Sequence, residues 1–109
     1  MRIVVLAFGL TVGAVAAQDR PLVIPQVEGA KQGRVIGRAI ACGLARDRTD
    51  ALITANRSRM LAAVGPAFTE DRYLPELDRA IAFETSLPRP SESACAKAVA
   101  EFERMAGTR

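Results

Sequence analysis

The chain has 109 residues, half of them hydrophobic, and a formal net charge of +3 at neutral pH. It contains no histidine, which removes the commonest general base and also removes imidazole as a metal ligand. It contains no tryptophan and only one tyrosine, Tyr73, so the aromatic platforms on which nucleic-acid bases stack are absent. A length of this order predicts a single domain.

Residues 1–17 have the form of a cleavable secretory signal. Arg2 supplies a positive start, and residues 3–16 form an uncharged apolar run that ends in small residues. The alternative is a membrane anchor, but the run is shorter than the apolar core of a bilayer requires. The sequence therefore predicts cleavage after Ala16 or Ala17 and a periplasmic or secreted protein.

Residues 18–29 are predicted to form an extended arm ahead of a helical domain at residues 30–109, because two prolines interrupt helix formation. The apolar residues of the arm either lie across the folded domain, burying Leu22 and Ile24, or add a strand to the edge of a partner's sheet. The candidate docking contacts are Pro21, Leu22, Ile24 and Pro25.

The rest of the chain has helical periodicity, and no segment predicts a strand. The first helix is expected over residues 30–45, with Cys42 on the flank of its apolar stripe. Three glycines in this helix would let another helix approach closely: Gly33, Gly37 and Gly43. The second helix is expected to start at an Asp47 N-cap and to end at Gly65 and Pro66.

The third helix is predicted to be interrupted near Pro75, which lacks the N–H that a continuous helix needs. Thr69 is a candidate N-cap; either a separate turn at residues 70–73 precedes a helix that starts at Pro75, or a single helix is kinked there. Ser91 is the expected cap of the fourth helix, which stops at Gly107. Four helices with short loops predict a small all-α fold, an antiparallel four-helix bundle.

The bundle topology predicts a disulfide between the only two cysteines, Cys42 and Cys95. The end of the first helix and the start of the fourth lie at the same pole of an up-down-up-down bundle. A catalytic thiol would need a base, a redox pair usually has C-x-x-C spacing, and a metal site would need two further ligands. A labile disulfide, free thiols and a metal site are the alternatives, and the sequence predicts no metal and no cofactor.

Charge is segregated along the chain. Residues 31–59 carry seven basic and two acidic residues, whereas residues 70–103 carry eight acidic and four basic residues. The two halves either pair with each other as solvated surfaces or leave a basic face for an acidic partner. The candidate basic face consists of Lys31, Arg34, Arg38, Arg46 and Arg48.

No catalytic constellation is evident, so the sequence predicts a non-catalytic interaction protein or accessory subunit rather than an enzyme. Its expected partner is another periplasmic or membrane-associated protein, with contact to a membrane surface as a weaker alternative and no nucleic acid. The alternatives are a periplasmic stress or holdase chaperone, and a small enzyme inhibitor or enzyme. The overall plan is similar to that of the acid-stress chaperones of the bacterial periplasm, with no motif in common. The oligomeric state is not indicated.

Overall fold

The computed structural model describes residues 22–107, and the predicted signal at residues 1–17 lies outside them, as do residues 18–21 of the predicted arm. The described elements are α1 at Pro25–Ala41, α2 at Arg46–Phe68, a π-helical turn at Thr69–Tyr73, α3 at Leu74–Ser86 and α4 at Glu92–Gly107. No strand occurs in this part of the chain.

The all-α prediction is confirmed for the described residues, but the antiparallel four-helix bundle is not. Helix α2, the π-helical turn and α3 follow one another with no loop between them. Residues 46–86 therefore form one bent helical stretch, and the described chain has three continuous helical stretches instead of four separate helices.

Helix α1 begins earlier than predicted, at Pro25, so residues 25–29 are helical and not part of an extended arm. A proline at the first helical position costs no intrahelical hydrogen bond, because the N–H groups of the first turn have no partner within the helix. The helix also ends earlier, because Gly43 adopts a left-handed conformation with φ +89°. The N–H of Leu44 then donates to the carbonyl of Ala39, which closes the helix end.

The predicted break at Gly65 and Pro66 is a kink between helical segments. Gly65 has φ +86° and ψ 172°, a backbone conformation that favours glycine, and Pro66 starts the helical segment that follows. Thr69 is not an N-cap, because it has helical backbone angles and is fully buried. Its hydroxyl instead donates to the carbonyl oxygen of Gly65 at 2.7 Å, which ties the two sides of the kink together.

Pro75 neither starts an isolated helix nor ends one. The preceding turn widens, and the N–H of Leu74 donates to the carbonyl of Thr69, five residues earlier. This wider turn carries the helix past a residue that has no N–H to donate.

The two predicted helix caps have different outcomes. The amide N–H of Ala94 donates to Ser91 Oγ at 3.2 Å, so Ser91 caps α4 as predicted. The N-cap of α2 is Ala45 and not Asp47, and Asp47 Oδ1 accepts only from the amide of its neighbour Arg48.

Helix α1 packs closely against α3 through three glycines spaced four residues apart, Gly29, Gly33 and Gly37. A Cβ atom at Gly33 would lie 2.6 Å from the carbonyl oxygen of Leu77 and 2.7 Å from Cβ of Ala80. The two backbones therefore touch along this face, as the sequence predicts for Gly33 and Gly37. Gly43, the third glycine of that prediction, forms the turn after α1 instead.

The core lies between α1 and the other helices, each of which contributes at least one fully buried side chain. The buried hydrophobic residues are Val35, Ile36, Ala39, Leu52, Met60, Tyr73, Leu77, Ala98 and Phe102. The predicted disulfide is present: Cys42, directly after α1, is bonded to Cys95 in the first turn of α4, with their Cα atoms 5.4 Å apart.

Candidate functional site

Three of the five residues of the predicted basic face form ion pairs within the protein. Arg38 Nε lies 3.3 Å from a carboxylate oxygen of Glu84 on α3. Arg46 lies 3.7 Å from Asp50 on its own helix. Lys31 and Arg34, the other two residues of the face on α1, have no ion pair among residues 22–107.

Arg48 makes the best-defined of these contacts. Its Nη2 atom donates to both carboxylate oxygens of Glu103 on α4, at 2.6 and 2.7 Å. The hydrogen bond to Glu103 and the charge of that carboxylate raise the pKa of Arg48. The guanidinium also lies 5.7 Å from the centre of the Phe102 ring. Arg48 therefore links α2 to α4 and is not an unpaired charge for a partner.

Lys31 lies at the rim of a polar pocket of about 370 Å³ between α1, α2 and α4. Two further cations, Arg59 and Arg104, share the lining with the amides of Gln32 and Asn56. The remaining lining residues are Glu28, Val35, Glu101 and Met105. We call this the α1–α2–α4 pocket.

A buried hydrogen-bond network involves two residues of the pocket lining. The hydroxyl of Tyr73 donates to Gln32 Oε1, and Gln32 Nε2 donates to Glu28 Oε1 at 3.2 Å. Burial raises the pKa of Tyr73 to about 12, and the nearby Arg59 opposes that shift. This network fixes the orientation of the Gln32 amide.

The raised pKa of Tyr73 predicts a loss of stability at alkaline pH. Below pH 10 the phenol is protonated in both states, so it adds no pH dependence. Between about pH 10 and pH 12 the unfolded chain releases the proton while the folded protein retains it. The free energy of unfolding should then fall by about 1.4 kcal/mol per pH unit.

Urea unfolding followed by far-UV circular dichroism at several alkaline pH values measures this slope. Tyr73→Phe is the matched control, because it keeps the ring and removes the titrating hydroxyl. An equal slope in both proteins would contradict the prediction.

A second cleft, of about 520 Å³, lies beside the disulfide and is more apolar. Leu87, Pro88 and Pro90 of the loop between α3 and α4 form one side of it. Arg38 and Glu84 both line this cleft, and their ion pair neutralises the two charges there.

The apolar residues of the predicted arm do not pack on the domain. Leu22 is 87% exposed and Ile24 is 46% exposed, so the expectation that they lie buried across the domain is wrong. Val27, in the first turn of α1, is also exposed. Pro25 is half-buried at the start of α1, and Pro21 lies outside the described residues.

Residues 22–107 contain no group of three or more acidic or cysteine side chains arranged to hold a metal ion. No described helix is long and apolar enough to cross a membrane. The fold, the disulfide and the surface of residues 22–107 define a small, all-α, disulfide-bonded protein with a polar pocket and an exposed apolar segment at residues 22–27. No protein-family model, curated protein or solved structure matches the chain.

Most residues of the α1–α2–α4 pocket have no functional signal in the sequence pattern. In the pattern of charge segregation, Arg59 is only one of the seven basic residues at positions 31–59. Arg104 lies directly after the acidic half at residues 70–103, so the pattern assigns it no role. One signal was available: Asn56 interrupts the apolar positions Leu52 and Met60 at a spacing of four residues. A polar residue at a position that faces the core needs a partner there or a ligand.

Proposed function

We propose that this chain is an exported, non-catalytic interaction protein that docks on a partner protein through residues 22–27. The observation that carries the proposal is the exposure of Leu22, Val23, Ile24 and Val27, the apolar side chains of this segment, to between 43% and 87%. The segment is defined as the docking segment. An exposed apolar cluster of this kind is typical of a surface that another protein covers.

The conformation of the docking segment supports the same role. Residues 22–24 are non-helical, and α1 begins directly after them at Pro25. The carbonyl of Ile24 accepts the N–H of Glu28, and residues 22–24 make no other backbone hydrogen bond within the described chain. A short extended segment of this kind is suited to adding a strand to a sheet edge. Since three of the five basic-face residues form ion pairs within the protein, charge on that face contributes less to docking than the apolar segment does.

The proposed location is the periplasm or the exterior, after removal of residues 1–17. The disulfide between Cys42 and Cys95 supports this location, because such bonds persist in oxidising compartments.

Photo-crosslinking from the docking segment tests the proposal. A benzophenone side chain at Leu22 of the full chain, exported in its source organism, is expected to capture one discrete partner. The same group at Leu61, an exposed hydrophobic position on α2, is the matched control and should capture nothing at that mass. The intact mass of the purified chain reports whether residues 1–17 have been removed.

Charge substitutions in the docking segment provide the quantitative readout. Leu22→Asp with Ile24→Asp should reduce the yield of the captured partner at least about tenfold, because each charge would enter an apolar contact. Leu61→Asp should leave the yield unchanged. Equal capture by both crosslinker positions would overturn the proposal, and so would suppression of aggregation of unrelated proteins without a stoichiometric partner, which favours a holdase.

A further inference from the structure

Three cations without an ion pair among residues 22–107 converge on the α1–α2–α4 pocket, Lys31, Arg59 and Arg104. Five other arginines of the described chain lie within 4.0 Å of a carboxylate oxygen, and they are Arg38, Arg46, Arg48, Arg57 and Arg79. Five of the ten arginines in the described chain therefore have an acidic partner, and three of the seven cations without one line a single pocket. This concentration of unpaired positive charge indicates a place for an anion.

The pocket also presents a buried amide with spare donor capacity. Asn56 is 2% exposed and accepts a hydrogen bond from Arg59 through Oδ1. Its Nδ2 atom has one partner in the described chain, the thioether sulfur of Met105 at 3.8 Å. A thioether is a weak acceptor, and the amide nitrogen carries two N–H groups. Asn56 therefore has an N–H available for a stronger acceptor in the pocket.

The acidic lining limits what the pocket accepts. Glu28 and Glu101 lie in the same lining, and Glu28 already accepts a hydrogen bond from Gln32. Three cations and two carboxylates leave one excess positive charge, which does not suit a polyanion. The volume of about 370 Å³ suits a small molecule.

We propose that the α1–α2–α4 pocket binds a small organic molecule through a single oxyanion group, a phosphate or a carboxylate. Arg59 and Arg104 supply guanidinium donors, which match the geometry of both groups. Lys31 supplies a point charge at the rim, and Asn56 supplies the amide donor at the buried end. This site is separate from the docking segment, so it does not depend on the proposed partner contact.

Isothermal titration calorimetry on the full chain tests this site with three probes at constant ionic strength: glycerol 3-phosphate, butyrate and inorganic phosphate. Saturable binding of one equivalent of glycerol 3-phosphate or butyrate is expected, and the tighter of the two identifies the headgroup. Binding only of inorganic phosphate, or binding of none of the three, would overturn the proposal.

Arg104→Gln is the informative variant, because the Arg104 side chain has no hydrogen bond or ion pair in the described chain whose loss would disturb the fold. Loss of a charge-assisted hydrogen bond should weaken binding of the preferred probe by about tenfold or more. Arg72→Gln removes another arginine without an ion pair that lies outside the pocket, and it should bind as the unchanged protein does. Equal weakening by both variants would show general charge attraction and overturn the site. Leu22→Asp with Ile24→Asp should retain full affinity, which separates this test from that of the docking segment.

Discussion

Replacement of both cysteines by serine is expected to lower the free energy of unfolding by about 4 kcal/mol. The disulfide closes a loop of 53 residues between Cys42 and Cys95. In the chain-entropy account, a crosslink of that span removes about this much free energy from the unfolded state. Domains of this size have a total stability of only about 5–10 kcal/mol, so the loss decides how much folded protein remains at elevated temperature.

Urea denaturation followed by far-UV circular dichroism measures the loss, since the chain has no tryptophan for fluorescence. Reduction of the unchanged protein should reproduce the effect, whereas the same reductant should not alter the Cys42→Ser, Cys95→Ser variant. A stability within about 1 kcal/mol of the unchanged protein would contradict the prediction.

Gly33→Val is expected to destabilise the protein by about 3 kcal/mol, and Gly33→Ala by about 2 kcal/mol. The new Cβ would lie 2.6 Å from the backbone carbonyl oxygen of Leu77, so α3 as a whole must move away. The gain in helix propensity on replacing glycine by alanine, about 1 kcal/mol, offsets only part of the cost. Valine adds two methyl groups at the same contact and gains less propensity.

Gly107→Ala is the control for this series. Gly107 also lies in a helix, but a Cβ there would meet nothing within 4 Å. Its stability should stay within about 0.5 kcal/mol of the unchanged protein. If Gly33→Ala were as stable as this control, the close packing of α1 on α3 would be wrong.

Much of the fold follows from patterns that are local in the sequence. The three- and four-residue spacing of Val35, Ile36 and Ala39 predicts the buried face of α1, and all three residues are buried. Ser91 was recognisable as a cap because an N-cap serine bonds an amide only a few residues further along the chain.

The errors also have local causes. The sequence pattern predicts a helix break at Pro25, but this proline stands at a helix start, where its missing N–H costs nothing. Before Pro75 a π-helical turn lets the helix continue although the proline has no N–H to donate. Such a turn has no strong signature in the sequence. Both errors made the predicted helices shorter and more separate than they are.

The candidate sites were less predictable than the fold. The exposure of Leu22 and Ile24 could be weighed from sequence only as one of two alternatives, because an apolar arm is compatible with burial and with docking. The α1–α2–α4 pocket joins residues of three helices, and no linear spacing relates Lys31 to Arg59 or Arg104.

The sequence by itself determined the helical class and the pairing of the two cysteines. It also determined the close approach of a second helix at Gly33 and Gly37. These features depend on residue periodicity, on the presence of only two thiols, and on the absence of a side chain at particular positions. The tertiary structure alone decided which charges are neutralised. Arg38 pairs with Glu84, 46 residues away, and Arg48 with Glu103, 55 residues away. Ion pairing depends on distances of a few ångströms between helices, and only the packing of α1 on α3 and of α2 on α4 sets those distances.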